Sequence, residues 1–174
     1  MSTATIAVDR RTQRRMQAAE GYLALEMYEH ALRELRAVTD PGDERYKYHL
    51  LKAEAYRGQH DWSAAQDEFR YCQGEQPEDL GVLMGLAWCL KRTGELSQAI
   101  STMHDAYRAH PKTPVVLYNL SCYYALAGQK SQALSWLGRA LRMEPGLLRL
   151  IPEETDFDPI RSAPEFQKLL ELCA

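Results

Sequence analysis

The sequence predicts an all-α fold, a solenoid of stacked helical hairpins, and three observations carry the prediction. Small residues recur at a step of 34: Ala31, Ala65, Ala99 and Ala133 form one column, and Ala19, Ala53, Ala87 and Ser121 another. Pro77, Pro111 and Pro145 keep the same step. Large residues travel with them, Leu35, Phe69, Met103 and Leu137 four places after the alanines, and Tyr22, Tyr56, Leu90 and Tyr124 nine before. A period of about 34 with helical spacing inside it marks a repeat whose unit is two antiparallel helices. Helices of about 12–15 residues are marginal alone, so such units are stable only when stacked.

The period divides the chain into an N-terminal arm over 1–11, expected to be flexible, and four units at 12–45, 46–79, 80–113 and 114–147. A C-terminal loop and capping helix follow over 148–174. The arm, which begins "MSTATIAVDRRTQRR", contains no apolar run of the length a secretory signal needs. At its end Arg10, Arg11, Arg14 and Arg15 fall at helical spacing, a solvated first turn or a basic tip for an acidic partner. The first unit departs from the period, with Asp43 where later units have proline and Pro41 two places earlier. Its hairpin turn places Glu26, and that of the second unit His60, where the third and fourth place Gly94 and Gly128. Glycine suits a helix end in the left-handed conformation, so the first two turns are expected to close differently.

The third unit reads as a helix "DLGVLMGLAWCLKRTG", a turn at Gly94 and a second helix "LSQAISTMHDAYRAH". Pro111 stops that helix, and Thr113-Pro114 restarts the chain as an N-cap with proline in the first helical position. The two small-residue columns face each other within each hairpin, because helices 8–10 Å apart need small side chains where their backbones meet. In the tail, Ser162 and Glu165 form an S-x-x-E capping box. Phe166, Leu169, Leu170 and Cys173 share one helical face. Residues 160–174 thus read as the cap over the last hairpin, with Phe157 and Ile160 tucking the connecting loop down.

Composition narrows the function. The 174 residues are 45% hydrophobic and 26% charged, an ordinary single-domain composition, and the formal charge is −3. That balance argues against nucleic acid as partner, and no apolar run approaches the roughly 20 residues of a membrane span. Cys72, Cys89, Cys122 and Cys173 form no CxxC pair and lie on apolar stretches, the usage of a reducing compartment, so the cytoplasm is the expected location. No catalytic motif, phosphate loop or zinc spacing is visible, and the expectation is a non-enzymatic chain without cofactor or metal. Asp156 and Asp158 are too few oxygen ligands for a divalent ion; Asp158 before Pro159 reads as another helix cap.

The small-residue columns, the tyrosine column and the closing prolines resemble tetratricopeptide repeats over about 136 of the 174 residues. The resemblance implies a right-handed alpha-alpha superhelix whose concave face is lined by the first helix of every unit. By repeat position the lining would be Met16, Glu20 and Leu23; Lys47, Leu50, Glu54 and Arg57; Met84, Trp88, Lys91 and Arg92; and Tyr118, Cys122 and Ala125. One column of it, Met16, Leu50, Met84 and Tyr118, is apolar throughout, and such surfaces mark binding sites. The implied function is an adaptor or scaffold that binds a peptide or helix of another protein. The alternatives are a bacterial secretion-type chaperone shielding an apolar substrate, or a self-associating assembly subunit. Family members that grip acidic chaperone tails carry a clamp of Lys, Asn and Arg. Met16, Glu20, Leu51, Gly81 and Gly85 occupy those positions, so that partner type is disfavoured. The ending "DFDPIRSAPEF" is similar to those of bacterial tetratricopeptide proteins.

Overall fold

The alanine columns do what their spacing predicts, for Ala19, Ala31, Ala53, Ala65, Ala87, Ala99, Ala133 and Ser121 are all fully buried. The structure, a computed structural model, describes residues 9–173, so the first eight residues of the expected arm lie outside the described residues. Asp9 to Arg11 are the cap and first turn of a helix: the Asp9 carboxylate accepts from the Arg11 and Thr12 amides.

The described residues contain helices and no strand. In order they are α1 (Arg10–Ala24), α2 (Tyr28–Arg36), α3 (Arg45–Gly58), α4 (Trp62–Glu75), α5 (Leu80–Arg92), α6 (Leu96–Ala109), α7 (Pro114–Leu126), α8 (Lys130–Met143) and α9 (Pro164–Cys173). A short 3₁₀ turn, Gly42–Glu44, precedes α3, and two more 3₁₀ segments, Pro145–Glu153 and Thr155–Ile160, separate α8 from α9. No helix among them is long and apolar enough to cross a membrane.

The chain forms two compact units, the first ending at Thr93 and the second beginning at Gly94. The 34-residue period runs through this boundary without a mark, so the sequence does not announce it. In the first unit α1 packs on α2, α3 on α4, and α3 on α1 and α5, which sets the first helices of successive hairpins side by side. Its core holds Met16, Leu32, Leu35, Leu51 and Ala55, with Tyr22, Tyr48 and Tyr56 packed against it. The Phe69 ring of α4 lies directly over Gly85 of α5, where a Cβ would collide with it. In the second unit α7 packs on α6 and α8, and α9 on α8.

All four hairpin turns have one conformation. Glu26, His60, Gly94 and Gly128 have φ of 57°, 62°, 83° and 70°. The expectation that Glu26 and His60 close their turns differently is therefore overturned: both take the left-handed conformation without being glycine. Thr113 caps α7 with Pro114 in the first turn, although its side chain makes no capping bond. Asp61 and Asp79 do cap with their carboxylates, to the Ala64 and Val82 amides at 3.2 and 3.0 Å.

The tail departs from the expected caps. Helix α9 starts at Pro164, and the Ala163 carbonyl accepts from the Phe166 and Gln167 amides, while Glu165 turns to Lys130 at 3.0 Å. Asp158 lies inside a 3₁₀ segment capped by Glu154 and pairs with Arg161 at 2.9 Å. Phe157 and Ile160 are buried, as their apolar character predicts.

Candidate partner-binding cleft

The predicted lining residues separate into three groups. Met16, Tyr118 and Cys122 are 1%, 4% and 1% exposed, and as placed they offer nothing to a partner. Met16 lies in the core of the first unit because α2 and α3 close over that face of α1. Tyr118 and Cys122 lie under the chain's own tail, whose 3₁₀ segment Thr155–Ile160 packs on α7. The Tyr118 ring meets Phe157 edge-on at 5.7 Å, and Phe157 in turn meets Phe166 at 5.5 Å. Cys122, Glu154 and Asp156 bring a thiol and two carboxylates within 4.8 Å of one another there. Beside them the Arg161 guanidinium donates to the Ile151 and Glu154 carbonyls at 3.2 and 2.7 Å. Burial, reinforced by the nearby Cys122 and acidic groups, pushes the Tyr118 phenol well above its ordinary range. An apolar column running to Tyr118 is thus no open surface at its two ends.

A second group is half-buried on the first helices of the first unit: Leu50 of α3, with Met84 and Lys91 of α5. Glu20 of α1 and Lys47 of α3 form an ion pair at 2.9 Å. This pair ties neighbouring hairpins, although a half-exposed pair contributes only about 0–1 kcal/mol.

The third group, Glu54, Arg57 and Trp88, comes together around a cleft of about 470 Å³ at the C-terminal ends of α1 and α3. Leu23 and Ala24 of α1, Tyr28 at the start of α2, and Gly58 complete its wall, with Glu26 and His60 from the two turns. Gly58 is required: a Cβ there would run into the Tyr28 ring. Arg57 donates from Nε to Glu54 at 3.0 Å, and its guanidinium lies 5.8 Å from the centre of the Trp88 ring. Arg92 lies 5.6 Å from the same ring and 5.2 Å from Trp62. The two indoles meet edge to face at 4.9 Å, and the His60 ring meets Trp62 at 4.8 Å. Edge-to-face aromatics with guanidinium groups within 6 Å give a platform with both apolar and polar faces, the chemistry of interface anchors. Under the cleft, burial raises the Cys89 thiol to about 11, with Arg57 opposing the shift, so it stays protonated.

Sequence reasoning found Leu23, Glu54, Arg57 and Trp88 of this cleft and Arg92 beside it, and missed Glu26, Tyr28 and His60 of its wall and Trp62 of the adjoining aromatic pair. A signal for two of them was present, since Glu26 and His60 occupy the period position that glycine holds later in the chain. Trp62 follows the Asp61 cap as the first residue of a second helix, whereas repeat position assigns the concave face to first helices alone.

The four arginines at the start of α1 lie together. Arg10, Arg11, Arg14 and Arg15 line a shallow cavity with Glu34, and Arg15 pairs with that carboxylate at 2.8 Å.

No family model matches the chain, and no curated protein does either. Solved structures do match. A structure titled crystal structure of MamA protein is 16% identical, with a TM-score of 0.74, over 92% of this chain and 91% of that one. MamA of AMB-1 is 16% identical, with a TM-score of 0.72, over 95% and 93%. MamA residues 41 to the end from Desulfovibrio magneticus RS-1 is 18% identical, with a TM-score of 0.69, over 95% and 97%. Identity this low makes the likeness one of fold, and the fold is an all-α, tetratricopeptide-like solenoid.

Proposed function

We propose that residues 12–147 are four tetratricopeptide units and that the chain is a non-enzymatic adaptor. It binds a segment of another protein on the first-helix face of the compact unit that ends at Thr93, centred on Trp88. The observation that carries this reading is the platform itself: a half-buried indole within 6 Å of two guanidinium groups, lining a cleft of about 470 Å³. The apolar part of the indole that stays in water gains by being covered, and aromatic anchors with arginine neighbours dominate interface energies. The mixed polarity of the cleft supports a partner segment with apolar and charged side chains over a purely apolar one. It favours the adaptor over a chaperone that shields greasy substrates.

The test is affinity purification from the cells that encode the chain, with W88A and R92E variants beside the wild type. Partners retained by the wild type are expected to weaken about 30-fold or more for W88A, the effect of losing a 2 kcal/mol anchor. R92E, at an exposed position, is expected to weaken them with melting unchanged. Partner binding that survives both variants would contradict the reading.

Self-association has one observation on its side, the exposed Met143, Leu150 and Leu172 of the second unit, at 42%, 44% and 75%. Sedimentation at rising concentration decides it, since an unchanging monomer would exclude this role.

A further inference from the structure

We infer that the two non-glycine turn residues, Glu26 and His60, are partner-contacting residues of this cleft, and that Glu26 receives a lysine or arginine side chain from the bound protein segment. The inference rests on the cleft being a protein-binding site and names the chemistry of what it binds. Side chains are disfavoured in the left-handed region because Cβ crowds the following carbonyl, and glycine escapes that cost. The chain uses glycine at the same period position twice, at Gly94 and Gly128, and not at Glu26 and His60.

Closing the turn does not explain the difference. The Glu26 amide donates to the Leu23 carbonyl at 3.0 Å and the His60 amide to the Arg57 carbonyl at 3.1 Å. In the second unit the Gly128 amide makes the same bond to Ala125 at 3.0 Å. These are main-chain bonds that any residue supplies, so the side chains themselves account for the strain, and both line the one cleft.

Their surroundings say what they meet. Glu54 is taken by Arg57, and Glu29 by Arg36 and Gln59. Glu26 has no cation paired with it among the described residues and is exposed. Arg57 and Arg92 already lie over the indoles. The unmet charge of the cleft is therefore negative. On either side of Glu26, Leu25 is 70% and Met27 37% exposed, two large apolar side chains that face water. An acidic group between two bare apolar ones fits a basic side chain set among apolar residues, whose charge pairs while its neighbours leave water.

A displayed library of random peptides selected on the full chain tests this, followed by affinities of the synthetic consensus peptide for wild type, E26Q, E26G, H60G and W88A. The expected consensus carries Lys or Arg between apolar residues. It should bind E26Q and E26G at least tenfold more weakly and H60G several-fold more weakly, while E26G and H60G melt no lower than wild type because the turn is relaxed. Peptides that need Trp88 yet bind E26Q as tightly as wild type, or that carry an acid in place of the base, overturn the role of Glu26 and leave the cleft standing. Unchanged affinity for H60G overturns the role of His60. If no peptide dependent on Trp88 is enriched, the cleft reading itself fails and takes this inference with it.

Discussion

Gly85 and Phe69 show how one residue sets a helix crossing. The ring of α4 occupies the volume a Cβ on α5 would need, so G85A forces the ring or the helix to move. Overpacking of this kind costs about 1–3 kcal/mol, and the loss should appear in chemical denaturation as a lower midpoint with an unchanged slope. The turn glycines predict a loss of the same sign by a different route. G94A and G128A put a Cβ into a left-handed turn and should destabilise by about 1–2 kcal/mol each. At His104 of α6 the prediction concerns pH. Burial, with Arg108 adding to it, holds this imidazole below its ordinary value of 6.5, and its Nε2 lies 2.7 Å from the Tyr124 hydroxyl. The unfolded chain therefore binds the proton more readily than the folded one. The stability His104 contributes is whole above about pH 6.5 and falls as acid carries it toward the lower folded value. Melting temperature measured from pH 7.5 to 5 should drop in wild type and drop less in H104Q.

At the scale of elements, the tail is where structure and sequence diverge most. The helix spacing of Phe166, Leu169, Leu170 and Cys173 is plain in the sequence, and α9 follows it within a few residues. What Phe157 would cover is not plain, because a 3₁₀ segment has no long periodicity to read and its partner on α7 lies about 40 residues earlier. The groove residues of the fourth unit were therefore legible as a face but not as a covered one. F157A should cost about 3–5 kcal/mol as a large buried side chain is removed. It should also uncover Cys122. In the wild type, thiol labelling should be fastest at half-buried Cys173 and slow at Cys72, Cys89 and Cys122. In F157A, Cys122 should react several-fold faster while Cys72 and Cys89 stay protected. A Cys122 that already reacts like Cys173 in the wild type would mean that the tail is not docked.

For the molecule as a whole, the repeat was readable because packing demands recur: every hairpin needs small residues at its crossing and a left-handed residue at its turn. Eight buried small residues at one step, from Ala19 to Ala133, are the direct consequence. The division after Thr93 was not readable, since the same period crosses it. Nor was the cleft, because its wall comes from turns and from the first residues of second helices as well as from first helices. Glu54, Arg57 and Trp88 followed from repeat position, whereas Trp62 and Tyr28 required knowing how α2 and α4 begin. The central claim is that Trp88 stands where another protein docks. The most direct measurement places a photo-crosslinking phenylalanine analogue at Ala24, exposed on the cleft wall, and irradiates extracts of the cells that encode the chain, with the same analogue at exposed Asp67 of α4 as the control. A discrete adduct from position 24, absent from position 67 and lost with W88A or when the consensus peptide is added, is the result expected. Adducts from both positions alike, or from neither, would contradict the claim.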